Sequence, residues 1–392
     1  MEHIFIGRCE MGRNNKTNIK SSKPCYQRIV VKLGTSLLTS GSDRLDRGMM
    51  SRLVDQVARL HQQGVEIIVV SSGAMAAGRH RLRLTKKIKG IPFKQVLCSV
   101  GQSHLMHIYE ELVGQYDIPV AQALLTKADL SDRSGYLNAR NTLLALLQLR
   151  VLCIVNENDV VAVDELDEAK FGDNDNLSAM VANLVDADLL LLLTDIAGLH
   201  TADPRRDPSA RLISKVEHID ADIESLADRA GEMGIGGMVT KIEAARLATA
   251  SGVTVIIADG REPDIIPRLA GEEKIGTRFL PTTTRLESRK RWMLSSLSIR
   301  GILVVDSGAV LALKKQNRSL LAAGIKEAKG EFDRGDLVDI YDAEGRHLGC
   351  GLVNYSSSEV NLIKGAHSDK IATLLGIDYG PEVVHRDNLA VL

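Results

Sequence analysis

Apolar runs of five or six residues alternate with amphipathic stretches along most of the chain. Arg28 to Leu33 reads as a strand that closes on Gly34-Thr35-Ser36, and a helical pattern over 47–63 leads into a second strand, Val65 to Val70. That strand runs into Ser71-Ser72-Gly73-Ala74 and a helix rich in small residues. Further strands are expected at 118–125, 151–155, 188–193 and 253–258, with helices at 137–149, 175–185 and 240–251. Strands alternating with helices predict an α/β fold with a mostly parallel sheet covered on both faces, an αβα sandwich.

Beyond residue 281 the pattern changes. Pro281 to Arg300 is a polar, basic connector, followed by short segments that read as β: Ile302–Val305, Val310–Leu313, Leu337–Tyr341 and Gly351–Tyr355, separated by turns such as Asp333-Arg334-Gly335-Asp336. A small, mainly β domain is expected there. The division that follows is an extension over 1–25, an α/β domain over 26–283, a linker over 284–297 and a β-rich domain over 298–392. The extension is polar and irregular, interrupted by Arg8, Arg13, Lys16, Lys20 and Lys23, and reads as mostly disordered without the apolar region of a signal peptide.

Composition narrows the function classes. Hydrophobic residues make up 44% of 392 residues but aromatics only 3%, so the core must be mainly aliphatic. A formal charge of -1 provides no global field for nucleic acid or an anionic membrane. Cysteines at 9, 25, 98, 153 and 350 are odd in number and lack C-x-x-C spacing, which argues against a disulfide framework or a zinc site and for a reducing cytoplasm. No apolar run approaches the roughly 18 residues of a membrane span.

The candidate chemistry lies at the strand ends. Two polar clusters, Asn156-Glu157-Asn158-Asp159 and Gly172-Asp173-Asn174-Asp175-Asn176, follow a strand and precede a helix, where open α/β sheets bind ligands. Either alone could be an ordinary turn or N-cap. There is no Walker A sequence and no complete G-x-G-x-x-G. Instead, glycine turns follow strands or precede helices at Gly34, Ser72-Gly73-Ala74 and Gly234-Ile235-Gly236-Gly237-Met238-Val239-Thr240-Lys241, where backbone N–H groups can approach phosphate oxygens. Lys32 falls near the end of an apolar strand, where an unpaired ammonium is costly. Lys241 stands at a helix start, disfavoured by the dipole unless an anion compensates; the plainer reading of each is a snorkelling surface lysine.

Glycine turns, two lysines and several Asp and Asn side chains without a His or Cys nucleophile suit phosphoryl transfer, which is catalysed by positioning and charge neutralisation. A carboxylate acceptor fits well, because at a pKa of roughly 4.3 it is ionised at neutral pH and needs no general base.

At these residues the chain resembles the amino acid kinase family. The likeness is carried in order by Val30-Val31-Lys32-Leu33-Gly34-Thr35-Ser36, Ser72-Gly73-Ala74 with Ala76-Ala77-Gly78, Leu137-Asn138-Ala139-Arg140, the two polar clusters, Leu191-Leu192-Leu193-Thr194-Asp195 with Gly198-Leu199, Thr201-Ala202-Asp203-Pro204-Arg205, and Gly236-Gly237-Met238 with Thr240-Lys241. The resemblance implies transfer of the γ-phosphate of ATP to the side-chain carboxylate of L-glutamate, the first step towards proline. It implies catalytic roles for Lys32, Asp175 and Lys241, glutamate binding by Ser72, Asp159 and Asn174, and nucleotide binding by Lys32, Thr194, Asp195, Gly236, Gly237, Met238, Thr240 and Lys241. Mg²⁺ would arrive with ATP rather than on a protein ligand set. Ile235 and Val239 stand where the family usually has Thr and Ser, so hydroxyl contacts there are not expected.

The last 95 residues resemble a PUA domain through Asp306 with Gly308-Ala309, Leu320-Leu321, Gly324-Ile325, Phe332 with Arg334-Gly335-Asp336, and Gly351 with Tyr355-Ser356-Ser357. PUA domains elsewhere bind RNA, which makes an RNA-binding or RNA-modifying protein the rival reading. Eleven Lys/Arg against thirteen Asp/Glu over 298–392 disfavour it. Within the enzyme class the nearest competitors are kinases of N-acetylglutamate, aspartate, carbamate or uridylate, and the PUA-like tail selects against them. The resemblance also implies a homo-oligomer and feedback inhibition by proline.

Overall fold

The computed structural model describes residues 25–84, 90–162, 174–204, 206–230, 237–283, 299–316, 318–377 and 379–391. The expected extension, apart from Cys25, and the expected linker lie outside them.

Among the described residues the first unit is one sheet of eight strands: β1 (Arg28–Leu33), β2 (Glu66–Ser71), β3 (Val120–Leu125), β4 (Leu152–Glu157), β5 (Leu189–Thr194), β6 (Lys215–Val216), β7 (Thr254–Asp259) and β8 (Thr277–Phe279). Their spatial order is β3-β4-β2-β1-β5-β7-β8-β6, and pairing is parallel throughout except between β7 and β8. The chain builds outward from β1 through β2 to one edge, then crosses back to place β5 on the other side of β1. Such a reversal opens a crevice at the carboxyl ends of the strands.

Ten helices of this unit lie among the described residues: α1 (Thr35–Thr39), α2 (Arg47–Gln62), α3 (Ala74–Arg81), α4 (Ile91–Gly114), α5 (Lys127–Ser131), α6 (Arg133–Gln148), α7 (Asp175–Leu184), α8 (Ala221–Ala230), α9 (Met238–Thr249) and α10 (Ile265–Ala270). Strand alternation decides which helices each residue meets. Ile29, Val31 and Leu33 point into a core with residues of α2, α4 and α10, whereas Val30 joins Ile68, Val70, Leu190 and Leu192 against α6, α7 and α9. Lys32 shares the parity of Val30. It therefore emerges on the α7 and α9 face.

On the other face α3 and α4 cross at backbone contact. A Cβ on Gly101 would fall 1.7 Å from the Ala74 carbonyl oxygen, and one on Gly78 1.9 Å from that of Leu97. Only hydrogen atoms fit between the two helices.

The second unit has a five-stranded sheet in the order β11-β9-β12-β13-β15, with β10 paired to β14, where β9 is Ile299–Val305, β10 Leu320–Leu321, β11 Ile325–Gly330, β12 Leu337–Asp342, β13 His347–Leu352, β14 Glu382–Val384 and β15 Leu389–Val391. Helices α11 (Ser307–Gln316), α12 (Ser357–Ile363) and α13 (Ile371–Leu375) accompany it. Two expected strands are corrected. Val310–Leu313 lies within α11, whose first turn is fixed by the Asp306 carboxylate accepting from Ala309 N at 2.7 Å; a short apolar run does not distinguish strand from helix. The segment expected at Gly351–Tyr355 is a strand only to Leu352, since β13 begins earlier and Val353 to Tyr355 are buried outside it.

The units meet through α6. Leu137 packs with Leu337, Cys350, Leu352 and Ala390, all at most 2% exposed. Beside them the buried Arg140 donates from Nε to Asn388 Oδ1 at 2.9 Å, from Nη2 to Asp186 Oδ2 at 2.7 Å, and from Nη1 to the Leu184 carbonyl. Arg140 thus joins the C-terminal unit to the rear end of α7.

A Gly101→Ala substitution should destabilise the protein by about 1–3 kcal/mol, because overpacking against backbone outweighs the ~1 kcal/mol gained in helix propensity. Urea denaturation monitored by circular dichroism measures this. An unchanged or raised midpoint would show that the helices can separate without cost.

Candidate active site

At the carboxyl edge of the sheet, Asp175 opens α7 with a side chain that is 0% exposed. Lys32 Nζ stands 2.5 Å from its Oδ1 and Lys241 Nζ 3.1 Å from its Oδ2. Each lysine residue is only 4% exposed, so neither is a snorkelling surface cation. Three elements distant in sequence supply the three groups: β1 through its parity, α7 through its first residue and α9 through its first turn. Thr240, also in that turn, places Oγ1 3.1 Å from Asp175 Oδ2 and 2.9 Å from the Gly237 carbonyl. Asp175 explains how a cation is tolerated at the start of α9, since the carboxylate supplies the compensating charge the helix dipole requires. Two ammonium groups against one carboxylate leave the trio with a net positive charge.

Asn174 sits one residue before, as the N-cap of α7, 5% exposed. Its Nδ2 lies 2.6 Å from the Ser71 carbonyl, 2.7 Å from Asn156 Oδ1 and 3.4 Å from Ser72 Oγ. The second polar cluster is thereby tied to the first and to the end of β2. Asn156 is oriented in turn by Gln102 of α4, to whose Oε1 it donates at 2.7 Å. Asp159 lies just beyond β4, partly buried; burial first, then the nearby charge of Asp159, pushes the Cys98 thiol up. Nothing in the sequence marks Gln102, a polar residue inside a long helix whose partner is 54 positions away.

Across β1 the edge has a different character. Thr194 ends β5, with Oγ1 3.1 Å from Asp195 Oδ1, and Asp195 is exposed. Arg261, just past β7, forms an ion pair with Asp259 at 2.7 Å and donates to the Asp195 carbonyl at 2.6 Å, an arrangement without a sequence signal because ends of different strands supply it. Gly237 is the N-cap of α9, and Met238 buries its side chain in the core, so what Met238 presents towards the edge is backbone at a helix start. Gly236 lies outside the described residues, as do Gly172, Asp173 and the front of the glycine loop.

The structure therefore brings Lys32, Asp175, Thr240 and Lys241 into contact in the middle of the edge. Ser72 and Asn174 lie towards β2 and β4, with Asp159 beyond them, and Thr194 and Asp195 lie towards β7. Dense amides and hydroxyls on one side and an open strand end beside a helix N-terminus on the other suit two substrates meeting over a positive centre.

Comparison with known proteins gives two family matches. The model of the amino acid kinase family matches residues 27–259, and that of the PUA domain residues 301–375. A protein of Dehalococcoides mccartyi named glutamate 5-kinase is 58% identical over 369 residues, covering 94% of this chain and 99% of its own. Proteins of the same name from Herpetosiphon aurantiacus and Shewanella amazonensis are 53% and 49% identical, covering 93% and 95% of this chain and 98% of each relative. With a family model spanning more than half its length and relatives matched nearly end to end, the chain belongs to the amino acid kinase family and carries a C-terminal PUA domain.

Proposed function

We propose that the chain transfers the γ-phosphate of ATP to the side-chain carboxylate of L-glutamate, producing γ-glutamyl phosphate for proline synthesis. The observation that supports this most directly is the buried Asp175 carboxylate between two lysines. An acceptor carboxylate is already anionic, so the obstacle to reaction is its repulsion from the ATP phosphates. Lys32 and Lys241 neutralise the migrating phosphoryl group, and Asp175 holds both ammonium groups in place while limiting their excess charge. MgATP is the co-substrate, and its metal ion enters with the phosphates.

In this reading Ser72, Asn174 and Asp159 bind glutamate, with Asp159 facing its ammonium group. Thr194, Asp195 and the loop from Gly236 through Gly237 and Met238 to Thr240 and Lys241 hold the nucleotide, largely by backbone at the start of α9. The relatives' shared name and near-complete coverage support glutamate over other carboxylates. Excess acidic residues in the C-terminal unit speak against RNA as its main ligand. We further propose a cytoplasmic homo-oligomer inhibited by proline, with domains at 26–283 and 298–392 joined by a linker at 284–297. Among the described residues no helix is long and apolar enough to cross a membrane.

Hydroxylamine added to an ATP-dependent assay should trap γ-glutamyl hydroxamate from glutamate and far less product from aspartate, N-acetylglutamate or UMP. Turnover of one of those acceptors without hydroxamate from glutamate would refute the assignment. Steady-state kinetics should also separate the residues by role. Lys241→Ala should lower kcat by about 10²–10³ with little change in the KM for glutamate. Asn174→Ala should act mainly on that KM, and equal effects on both parameters in the two variants would count against the division.

A further inference from the structure

A second cleft, of roughly 670 Å³, opens between the units, away from the residues gathered around Asp175. Asp132 and Ser134 at the start of α6 form one wall; Arg334, Ser356, Glu359 and Tyr379 of the C-terminal unit form the other. Of the charged groups, two carboxylates are already engaged. Asp132 accepts from Gly135 N at 2.8 Å and Ser134 Oγ at 2.6 Å, capping α6. Glu359 accepts from Ser356 N at 2.7 Å and Ser356 Oγ at 2.8 Å, the capping box of α12. The guanidinium of Arg334 is not so engaged. Its central carbon lies 4.0 Å above the centroid of the Tyr379 ring, and its Nε is buried, so the terminal Nη groups are the edge that the cleft can reach.

Stacking occupies the face of a guanidinium and leaves its N–H edge free. Tyr379 is itself fixed, its backbone N donating to the Tyr355 hydroxyl at 3.1 Å and its ring lying 5.7 Å from that of Tyr355. The cation is thus held beside a cleft in which Asp132 and Glu359 are committed to helix starts, while the third carboxylate, Asp333, stands at the rim. The paired Nη groups at its tip match the paired oxygens of a carboxylate or phosphate.

We infer that the cleft between the units binds a small oxyanion, a carboxylate or a phosphate, through the N–H edge of Arg334. Asp333, exposed on the same rim, favours ligands that also carry a donor group.

The test is calorimetric titration of the full-length protein with inorganic phosphate and, separately, with lactate, in a saturating non-hydrolysable ATP analogue, its Mg²⁺ and glutamate, so that the kinase site including its γ-phosphate position is filled. Wild type should show one saturable site for at least one anion, and the arm that responds identifies the chemistry. Arg334→Gln should weaken it by at least about tenfold, the loss expected for one charge-assisted paired hydrogen bond, with unchanged turnover in the absence of the anion. Ser134→Tyr, which fills the cleft from the opposite wall and leaves the Arg334–Tyr379 stack intact, should also abolish binding. Absence of saturable binding for both anions, or undiminished binding in a folded Arg334→Gln or Ser134→Tyr protein, would overturn the inference.

Discussion

One buried carboxylate organises this protein. Asp175 has no exposed surface and holds two ammonium groups that are themselves nearly inaccessible. Burying three charges is expensive, and their mutual attraction offsets that only while all three remain in contact. Removing the carboxylate takes away the counterion that both lysines share, a loss that for a buried pair typically costs about 3–5 kcal/mol. The trio is nevertheless unbalanced by one positive charge. In the function proposed above, a polyanion arriving at the carboxyl edge completes it, so that stability of the fold and affinity for phosphate groups arise from the same arrangement.

The sheet makes the arrangement possible. Lys32 reaches α7 and α9 because it shares a face with Val30, and the helices are there because the chain reverses direction around β1. A one-residue change of register in β1 would turn Lys32 towards the α2 and α4 core, with its aliphatic neighbours and no carboxylate of this group. The amide network on the β2 and β4 side and the open edge at β5 and β7 follow from the same reversal, with β1 as the boundary.

Much of this was legible in the sequence. Strand positions around β1, β2, β4, β5 and β7 follow from apolar runs too long and continuous for a surface strand, and the cost of an isolated ammonium marks Lys32. The lysines' partner was less accessible to spacing alone, because Asp175 lies 143 and 66 positions from them; the family likeness supplied that grouping. Gln102 behind Asn156, and Arg261 over Asp195, leave no local trace, since each depends on elements brought together by tertiary packing. In the C-terminal unit, Val310 to Leu313 is equally apolar in either conformation. Its helix is decided by the Asp306 cap, a contact three residues upstream of Ala309.

The side chain of Arg140 gives the two units a common fate. The family models divide the chain into a kinase and a PUA domain, yet one guanidinium is shared between Asn388 and the last turn of the helix that begins with Asp175. Excising the C-terminal unit would leave Arg140 short of an acceptor and bare Leu137, a side chain whose burial is worth roughly 1.5–3 kcal/mol. As modules of sequence the two are separable. As a thermodynamic object the protein is closer to a single cooperative body, in which loosening the tail loosens the grip on the far end of α7.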